Sequence, residues 1–579
     1  MSKASLELGG GNWAAKDGKL LGYAVGDTSG KYLPREFEFS RGADIGATRV
    51  NKDGLVEKYR ENALINSGDF SIVGASGGWV KNASTITSGY AGYDGTTNAW
   101  KFESTVLTSY NNLNQQATYN AAITPLGSKV ATFSVYLKAG TTNWVRLNLN
   151  GTGNVYFDLE NGVVGTATAN ILGQIKSAGN GFYRCSITRL GGGVFDGCYI
   201  YLAESDENLL SNTHSTPEHI FVQNPQLEYG LVATDYLESD DETGKAGVLD
   251  DLPRIDYTSG SAQLLMEPSR TNLIPSSEYF NSGYGLGSLV TVTDNYAISP
   301  EGVKNASRWI GSAGSYPQMT KAISGLTIGV DYVLSIYVKS DGTSQIAQSL
   351  HITGGGNTTS FTPNDEWQRV EYSFTATATS HTTVLFTNSN TAPSSSYLIY
   401  GYQLEAGSYA TSYIPNYGTA LGVTRNFDYF YDQTFNNVLG NGDISMLVDF
   451  DYASPTREDS TTVVSLRSGS DILGIKGDST TDRDLQIYAA GNFSGAINFN
   501  DTEQDTRIKA LIRTSGTTVE LFFNGEKDAE TITFPAVNLP YAWDDLRVTG
   551  NDSLLAKFNR IAIFTESLSD AECIALTTV

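Results

Sequence analysis

Carboxylates are the residues through which this chain could do chemistry. Glu228 and Glu405 each close a Gln-Leu-Glu tripeptide, and each is followed by Ala-Thr-x-Tyr, at 233–236 and again at 410–413. A repeated acid at a strand end offers oxygen to a hard cation, or an acceptor to backbone amides. Asp69 and Glu278 follow the openings of the same two segments. Glycan cleavage needs two carboxylates about 5–10 Å apart, a spacing that sequence order does not report. The histidines His214, His219, His351 and His381 match no metal-binding helix of the HExxH kind. His214 and His219 read as loop imidazoles. No GxSxG elbow occurs, and Gly191–Gly193 and Gly354–Gly356 lack the Lys-Ser/Thr of a phosphate loop. No residue is assigned a catalytic role.

The elements that must position these groups occur twice. Asn62-Ala-Leu-Ile, Phe133-Ser-Val-Tyr-Leu-Lys138 and Gln226-Leu-Glu228 reappear in order as Asn272-Leu-Ile, Leu334-Ser-Ile-Tyr-Val-Lys339 and Gln403-Leu-Glu405. The spacing between landmarks differs, so loops vary around one frame. Within each copy, short alternating stretches such as 131–137 and 332–338 are punctuated by Asn-Gly turns. The pattern predicts an all-β chain with two related β-sandwich (jelly-roll) modules at 61–238 and 272–416. A third β-sandwich follows at 417–579, ending in a short helix over 568–576 that Ser569 can cap. Residues 239–271 read as a solvated acidic linker. Residues 1–60 are too poor in apolar side chains to fold alone and must be ordered by a neighbour.

Composition narrows the function. Of 579 residues 40% are hydrophobic, enough for several cores. Acids exceed bases by 62 to 38, a net charge of −24 that disfavours nucleic-acid binding. Three cysteines without a CxxC pair make neither a disulfide framework nor a zinc site. No segment has the roughly 20 apolar residues of a membrane helix, and the start lacks a signal-peptide core.

Three stretches carry a family resemblance: Thr48-Arg-Val-Asn-Lys-Asp-Gly-Leu-Val-Glu57, Pro253-Arg-Ile-Asp-Tyr257 with Glu267-Pro-Ser-Arg-Thr-Asn-Leu273, and Gln403-Leu-Glu-Ala-Gly-Ser-Tyr-Ala-Thr-Ser-Tyr-Ile-Pro415. In this order they resemble tailed-bacteriophage virion proteins of the head-spike or head-fibre type. The modules look like carbohydrate-binding jelly rolls, and 417–579 resembles a laminin-G or concanavalin-like domain. The module at 61–238 departs from the usual pattern, in which the first two motifs lie closer together.

The resemblance implies a non-enzymatic structural protein on the virion surface, made in the host cytoplasm, projecting as a homotrimeric head fibre. Residues 1–60 would be an extended anchor to capsid or other virion proteins, and the ligand a host-surface or mucosal glycan. The alternatives it leaves are a tail fibre or receptor-binding protein, and a secreted bacterial carbohydrate-binding or carbohydrate-active protein. In similar jelly rolls a calcium staples the first strand to the last, which implies calcium as a possible cofactor at Glu228 and Glu405. A sugar ring stacks on exposed aromatics. Trp79 and Trp543 stand in loop-like text and are the expected glycan contacts, whereas Trp144 and Trp367 read as core.

Overall fold

The computed structural model describes residues 2–432 apart from 17, 26–31, 43–45, 75–77, 106–109, 152, 192–193, 211–215, 282 and 344. Beyond these it describes 439, 442–452, 461–468, 471–477, 484–489, 498–500, 507–533, 543, 545–549 and 555–579. His214 lies outside the described residues.

The two modules are β-sandwiches of one topology. In module 1, one sheet runs in the order Val163–Ala167, Gly153–Asp158, Trp144–Leu149, Gly197–Ser205, Asn112–Gln116, Trp79–Asn82. The other runs Ile171–Gly179, Phe182–Arg189, Ala131–Ala139, His219–Tyr229, Ala99–Ser104, Ser84–Tyr90. Module 2 repeats both orders with fewer edge strands. Its Asp331–Ser340 is flanked by Gln368–Thr375 and Ser395–Ala406, as Ala131–Ala139 is by Phe182–Arg189 and His219–Tyr229. The pairing register slips at the same place in each copy, between Ser134 and Tyr136 and between Ser335 and Tyr337. Strand alternation turns Phe133, Val135 and Leu137 into one core and Leu334, Ile336 and Val338 into the other. The sequence expectation of an all-β, duplicated sandwich holds.

Each module is closed at its base by a small antiparallel ribbon, three-stranded in module 1, where Thr48–Val50 joins it, and two-stranded in module 2. Val56–Asn62 pairs with Gly244–Gly247, and Arg270–Asn272 pairs with Val423–Arg425. The chain therefore enters and leaves each module at one point, and both modules are insertions into a third body.

That third body corrects the expected boundaries. Strand Ala556–Phe564 carries Ser445–Tyr452 on one edge. Its other edge is shared end to end by Leu6–Gly9, opposite Arg560–Ile563, and by Gln263–Met266, opposite Ala556–Phe558. Tyr32–Ser40 pairs with Lys19–Val25 in one layer and with Tyr429–Asp432 in the other. Leu6, Leu8, Leu20, Phe37, Ile255 and Leu264 share a core with Phe430, Val448, Phe558 and Ile561. The strands within 6–40 are thus no free anchor: the neighbour that orders them is the C-terminal sandwich, whereas Thr48–Val50 and Val56–Asn62 pair with each other and Val56 packs on module 2. Nor is 239–271 wholly a linker, because 254–256 and 263–266 are strands of that sandwich. The acids at 240–242 are exposed as expected, whereas Asp251 accepts the Arg41 and Gly42 amides at 2.6 and 2.8 Å. The terminal helix is Asp570–Thr577, with Ser569 and Glu572 forming a capping box.

Where the chain crosses between bodies, five charges are buried together. Arg254 pairs with Glu267 at 2.5 Å and with Asp428, Arg425 with Glu267 at 3.0 Å, and Arg41 with Asp428 at 3.2 Å. Burial raises the cost of ionising Glu267, but Arg425, Arg254 and the Ser412 donors outweigh it and hold the carboxyl well below its usual range. The motif residues meet at this hub: Thr48 donates to the Tyr413 carbonyl at 2.6 Å, and the Val50 amide to Asp256 at 2.9 Å.

Candidate functional site

The repeated Gln-Leu-Glu motif builds a lock. Glu405 Oε1 accepts from Gln403 Nε2 at 2.6 Å and from the Thr411 amide at 2.9 Å, and Oε2 accepts the Thr411 hydroxyl at 2.5 Å. Glu228 makes the same three bonds, to Gln226 at 2.6 Å and to the amide and hydroxyl of Thr234 at 3.0 and 2.5 Å. Burial pushes the Glu228 carboxyl up, against the pull of these donors. Both oxygens of each acid are engaged in fastening the Ala-Thr turn to the last strand. Glu228 and Glu405 here act as acceptors for backbone and hydroxyl donors, the capping alternative to cation ligation. Among the described residues no cluster of three His, Cys, Asp or Glu side chains could hold a metal.

The expected glycan contacts are core residues. Trp79 is 0% exposed, packs on Phe70 at 4.7 Å and donates to the Asn66 carbonyl at 2.9 Å. Trp543 is 1% exposed within the C-terminal core. Neither can stack on a sugar. Trp144, expected inside, faces outward and is half-buried, because Val145 and Leu147 take the core positions of its strand.

The outer face of that same sheet is the candidate site. Inward Val145, Leu147, Val155, Phe157, Ile200, Leu202 and Leu113 turn Arg146, Tyr156, Tyr201 and Asn112 to the other side of the sheet, where Arg146 and Tyr201 are half-buried and Tyr156 and Asn112 are each 6% exposed. Strand register sets them in one line across the sheet: Tyr156 opposite Arg146, Arg146 opposite Tyr201, Tyr201 opposite Asn112, and Asn112 opposite Asn82. A second line runs Asn154, Asn148, Tyr199, Asn114. The Arg146 guanidinium lies 4.0 Å from the Tyr201 ring centroid and 6.0 Å from that of Tyr156. Tyr199 and Tyr201 stack at 5.7 Å with planes 9° apart.

Amides continue the surface. Asn82 and Asn114 both donate to Asn112 Oδ1, at 3.1 and 2.7 Å, and Gln116 donates to Asn114 at 2.7 Å. At one end Tyr110, 61% exposed, stands over a hollow of about 290 Å³ lined by Arg146, Tyr156 and residues 207–209. Arg146 Nε is buried there without a hydrogen-bond partner among the described residues. Burial pushes the Tyr199 phenol up to about 12. Burial also raises Tyr201, against Arg146. Flat rings, a guanidinium fork and oriented amides are what a polyhydroxylated ring needs: an apolar face to cover and hydroxyls to pair. The matching sheet of module 2 has Thr320, Val384 and His351 in line, and Gln318, Phe386 and Ser349, with no arginine between tyrosines.

Paired acids also meet, in a cleft of about 1040 Å³ between the modules. Lys58 lies 2.9 Å from Glu278 and 2.6 Å from Glu301. Tyr413 donates to Glu278 at 3.0 Å, and Tyr400 donates to both acids. Burial pushes the Glu301 carboxyl up to about 7 against the pull of Lys58, and the neighbouring Glu278 charge adds to the rise. Glu278 is thus a junction residue, tying module 2 to the ribbon of module 1.

No family model and no curated protein sequence matches the chain. Among solved structures it is similar to the CBM40 of Ruminococcus gnavus IT-sialidase bound to α2,3 sialyllactose, at 15% identity and a TM-score of 0.20, over 25% of this chain and 86% of that one. It is also similar to the CBM22-1–CBM22-2 tandem of Paenibacillus barcinonensis Xyn10C, at 11% identity and a TM-score of 0.20, over 63% and 99%. The binding domain of botulinum neurotoxin DC in complex with SialylT matches at 16% identity and a TM-score of 0.22, over 26% and 39%.

Proposed function

We propose that the protein is a non-enzymatic glycan-binding structural protein and that module 1 binds through its Tyr156–Arg146–Tyr201–Asn112 line. The observation that carries this reading is the line itself. Four neighbouring strands each turn a ring, a cation or an amide to the same side, and module 2 does not repeat it. A shallow face of this kind binds one sugar chain weakly, about millimolar, because each hydroxyl exchanges water for protein.

The sequence motifs support placing the protein on a tailed-phage virion, as a head fibre and homotrimer made in the host cytoplasm. Three copies would raise avidity by about 100-fold or more. Attachment to the particle would then fall to the C-terminal body as a whole, since strands within 6–40 are built into it. A glycan array with the purified full chain, paired with a reducing-sugar release assay, tests the reading. Binding without release is expected. Release of oligosaccharide, or no binding to any polysaccharide, contradicts it.

A further inference from the structure

We propose that the cleft between the modules is a second carbohydrate site, on the opposite sheet of module 1, and that it takes an N-acylated sugar. The argument rests on a group that the chain uses twice. Tyr136 stands opposite Arg184 in module 1, and Tyr337 opposite Arg369 in module 2. Each arginine lies over its tyrosine, at 5.2 and 5.5 Å, and donates through Nη2 to the serine two residues before that tyrosine. Those bonds are 3.0 Å to Ser134 and 2.9 Å to Ser335.

The copies differ on the other side of the guanidinium. Arg369 Nη1 donates to the Thr411 carbonyl at 2.5 Å, so in module 2 the fork is filled by an amide oxygen. In module 1 the corresponding turn is taken by Arg60, whose Nη2 bonds the Thr234 hydroxyl and the Asp235 carbonyl, each at 2.5 Å. Among the described residues Ser134 is the hydrogen-bond partner that Arg184 keeps; its Nε is buried without one, as is that of Arg369, so the difference between the copies lies at Nη1. The guanidinium lines the 1040 Å³ cleft, with Tyr93 stacked on Tyr136 at 3.7 Å beside it.

Module 2 therefore displays the chemistry that fits the open position: a planar amide carbonyl next to an aromatic ring. On a sugar that is an acetamido group, its oxygen on Arg184 and its methyl against the tyrosines. A carboxylate would meet the fork as well; the chain's net charge of −24 opposes it, but bases (Lys58, Arg60, Lys176) line the cleft beside the acids (Glu57, Glu61, Asp235), so it is the amide carbonyl on Arg369 in module 2 that favours an acetamido group. The volume accommodates several sugar units.

Titrating the full-length protein with chitotetraose and with cellotetraose tests this, since the two share a β-1,4-glucose frame and differ in the acetamido groups. Chitotetraose is expected to bind at least about 10-fold more tightly, the scale of one buried hydrogen bond to a charged donor. Arg184→Gln should remove that preference. So should Gln174→Trp, which plugs the cleft from an exposed strand position, with an unchanged melting curve as the check on folding. Equal affinities, no chitotetraose binding at about 10 mM, or a preference that survives both substitutions overturns the proposal. Arg146→Gln reports on the other sheet, so the two sites fail separately.

Discussion

Asn62 and Asn272 make the same hydrogen bonds in two modules whose loops differ. Asn272 Oδ1 accepts the Ile274 and Leu404 amides at 3.0 and 3.2 Å, and its Nδ2 donates to the Ile414 carbonyl at 2.8 Å. Asn62 accepts the Leu64 and Leu227 amides at 3.2 and 3.1 Å and donates to the Leu237 carbonyl at 2.9 Å. Each amide ties an incoming strand to the last strand and to the turn beyond it. The neighbouring Ser67–Tyr236 and Ser277–Tyr413 hydroxyl pairs, both at 2.7 Å, repeat as well. The most repetitive part of the sequence is thus structural.

Substituting the acid of this lock should cost stability without any metal dependence. Glu405→Ala leaves the Thr411 amide and hydroxyl and the Gln403 amide without their acceptor, at about 2–4 kcal/mol. Excess chelator should leave the melting temperature of the unaltered protein where it is. A chelator-induced drop that Glu405→Ala abolishes would restore calcium to this position.

Deleting residues 1–40 should unfold the C-terminal body rather than release an intact remainder. The deletion strips Leu6–Gly9 from the edge of Ala556–Phe564 and removes Leu8, Leu20 and Phe37 from its core. Limited proteolysis of the truncated chain should digest 429–579 first and spare the modules longer. A protease-resistant C-terminal body would contradict the shared sheet.

At the hub, Glu267→Gln should destabilise the protein by about 3–5 kcal/mol, because Arg254 and Arg425 would stay buried with half their countercharge. Denaturant midpoints read this directly. A shift below about 1 kcal/mol would mean that water reaches the cluster.

The junction should carry a pH dependence of defined sign. Glu301 is raised from 4.5 to about 7, so the native state holds its proton more firmly than the unfolded chain. Its contribution is complete below about 4.5 and is lost as pH rises through about 7. Glu301→Gln should flatten the stability profile across that window. A profile that rises there in the unaltered protein, and does not respond to Glu301→Gln, contradicts the assignment.

Local pattern made the duplicated sandwiches legible, since Phe133-Ser-Val-Tyr-Leu and Leu334-Ser-Ile-Tyr-Val alternate within a few residues. The third body was legible only in its C-terminal part, at 417–579, and its strands from 6–40 and 254–266 were not. Leu6–Gly9 and Gln263–Met266 find the same partner strand hundreds of residues away, and such pairing leaves no local mark. Trp79 was misread for a similar reason. Gly78, at φ 75°, turns the chain so that a Cβ there would lie 2.8 Å from Gln115, and the indole enters the core. The candidate face was hidden by the ambiguity of alternation. Tyr199-Ile-Tyr201 announces two rings on one side of a strand, but only the sheet shows that Arg146 and Asn112 flank Tyr201, and Asn148 and Asn114 flank Tyr199.

The central claim is tested most directly by the affinity of the purified full chain for an array-selected polysaccharide, with and without Arg146→Ala and Tyr201→Ala. Each substitution removes a ring or a cation from the line, so each should weaken binding by about 10-fold or more while the melting curve stays in place. His351→Ala, on the matching sheet of module 2, should change it little. Binding unchanged by Arg146→Ala and Tyr201→Ala would contradict the assignment of module 1's face.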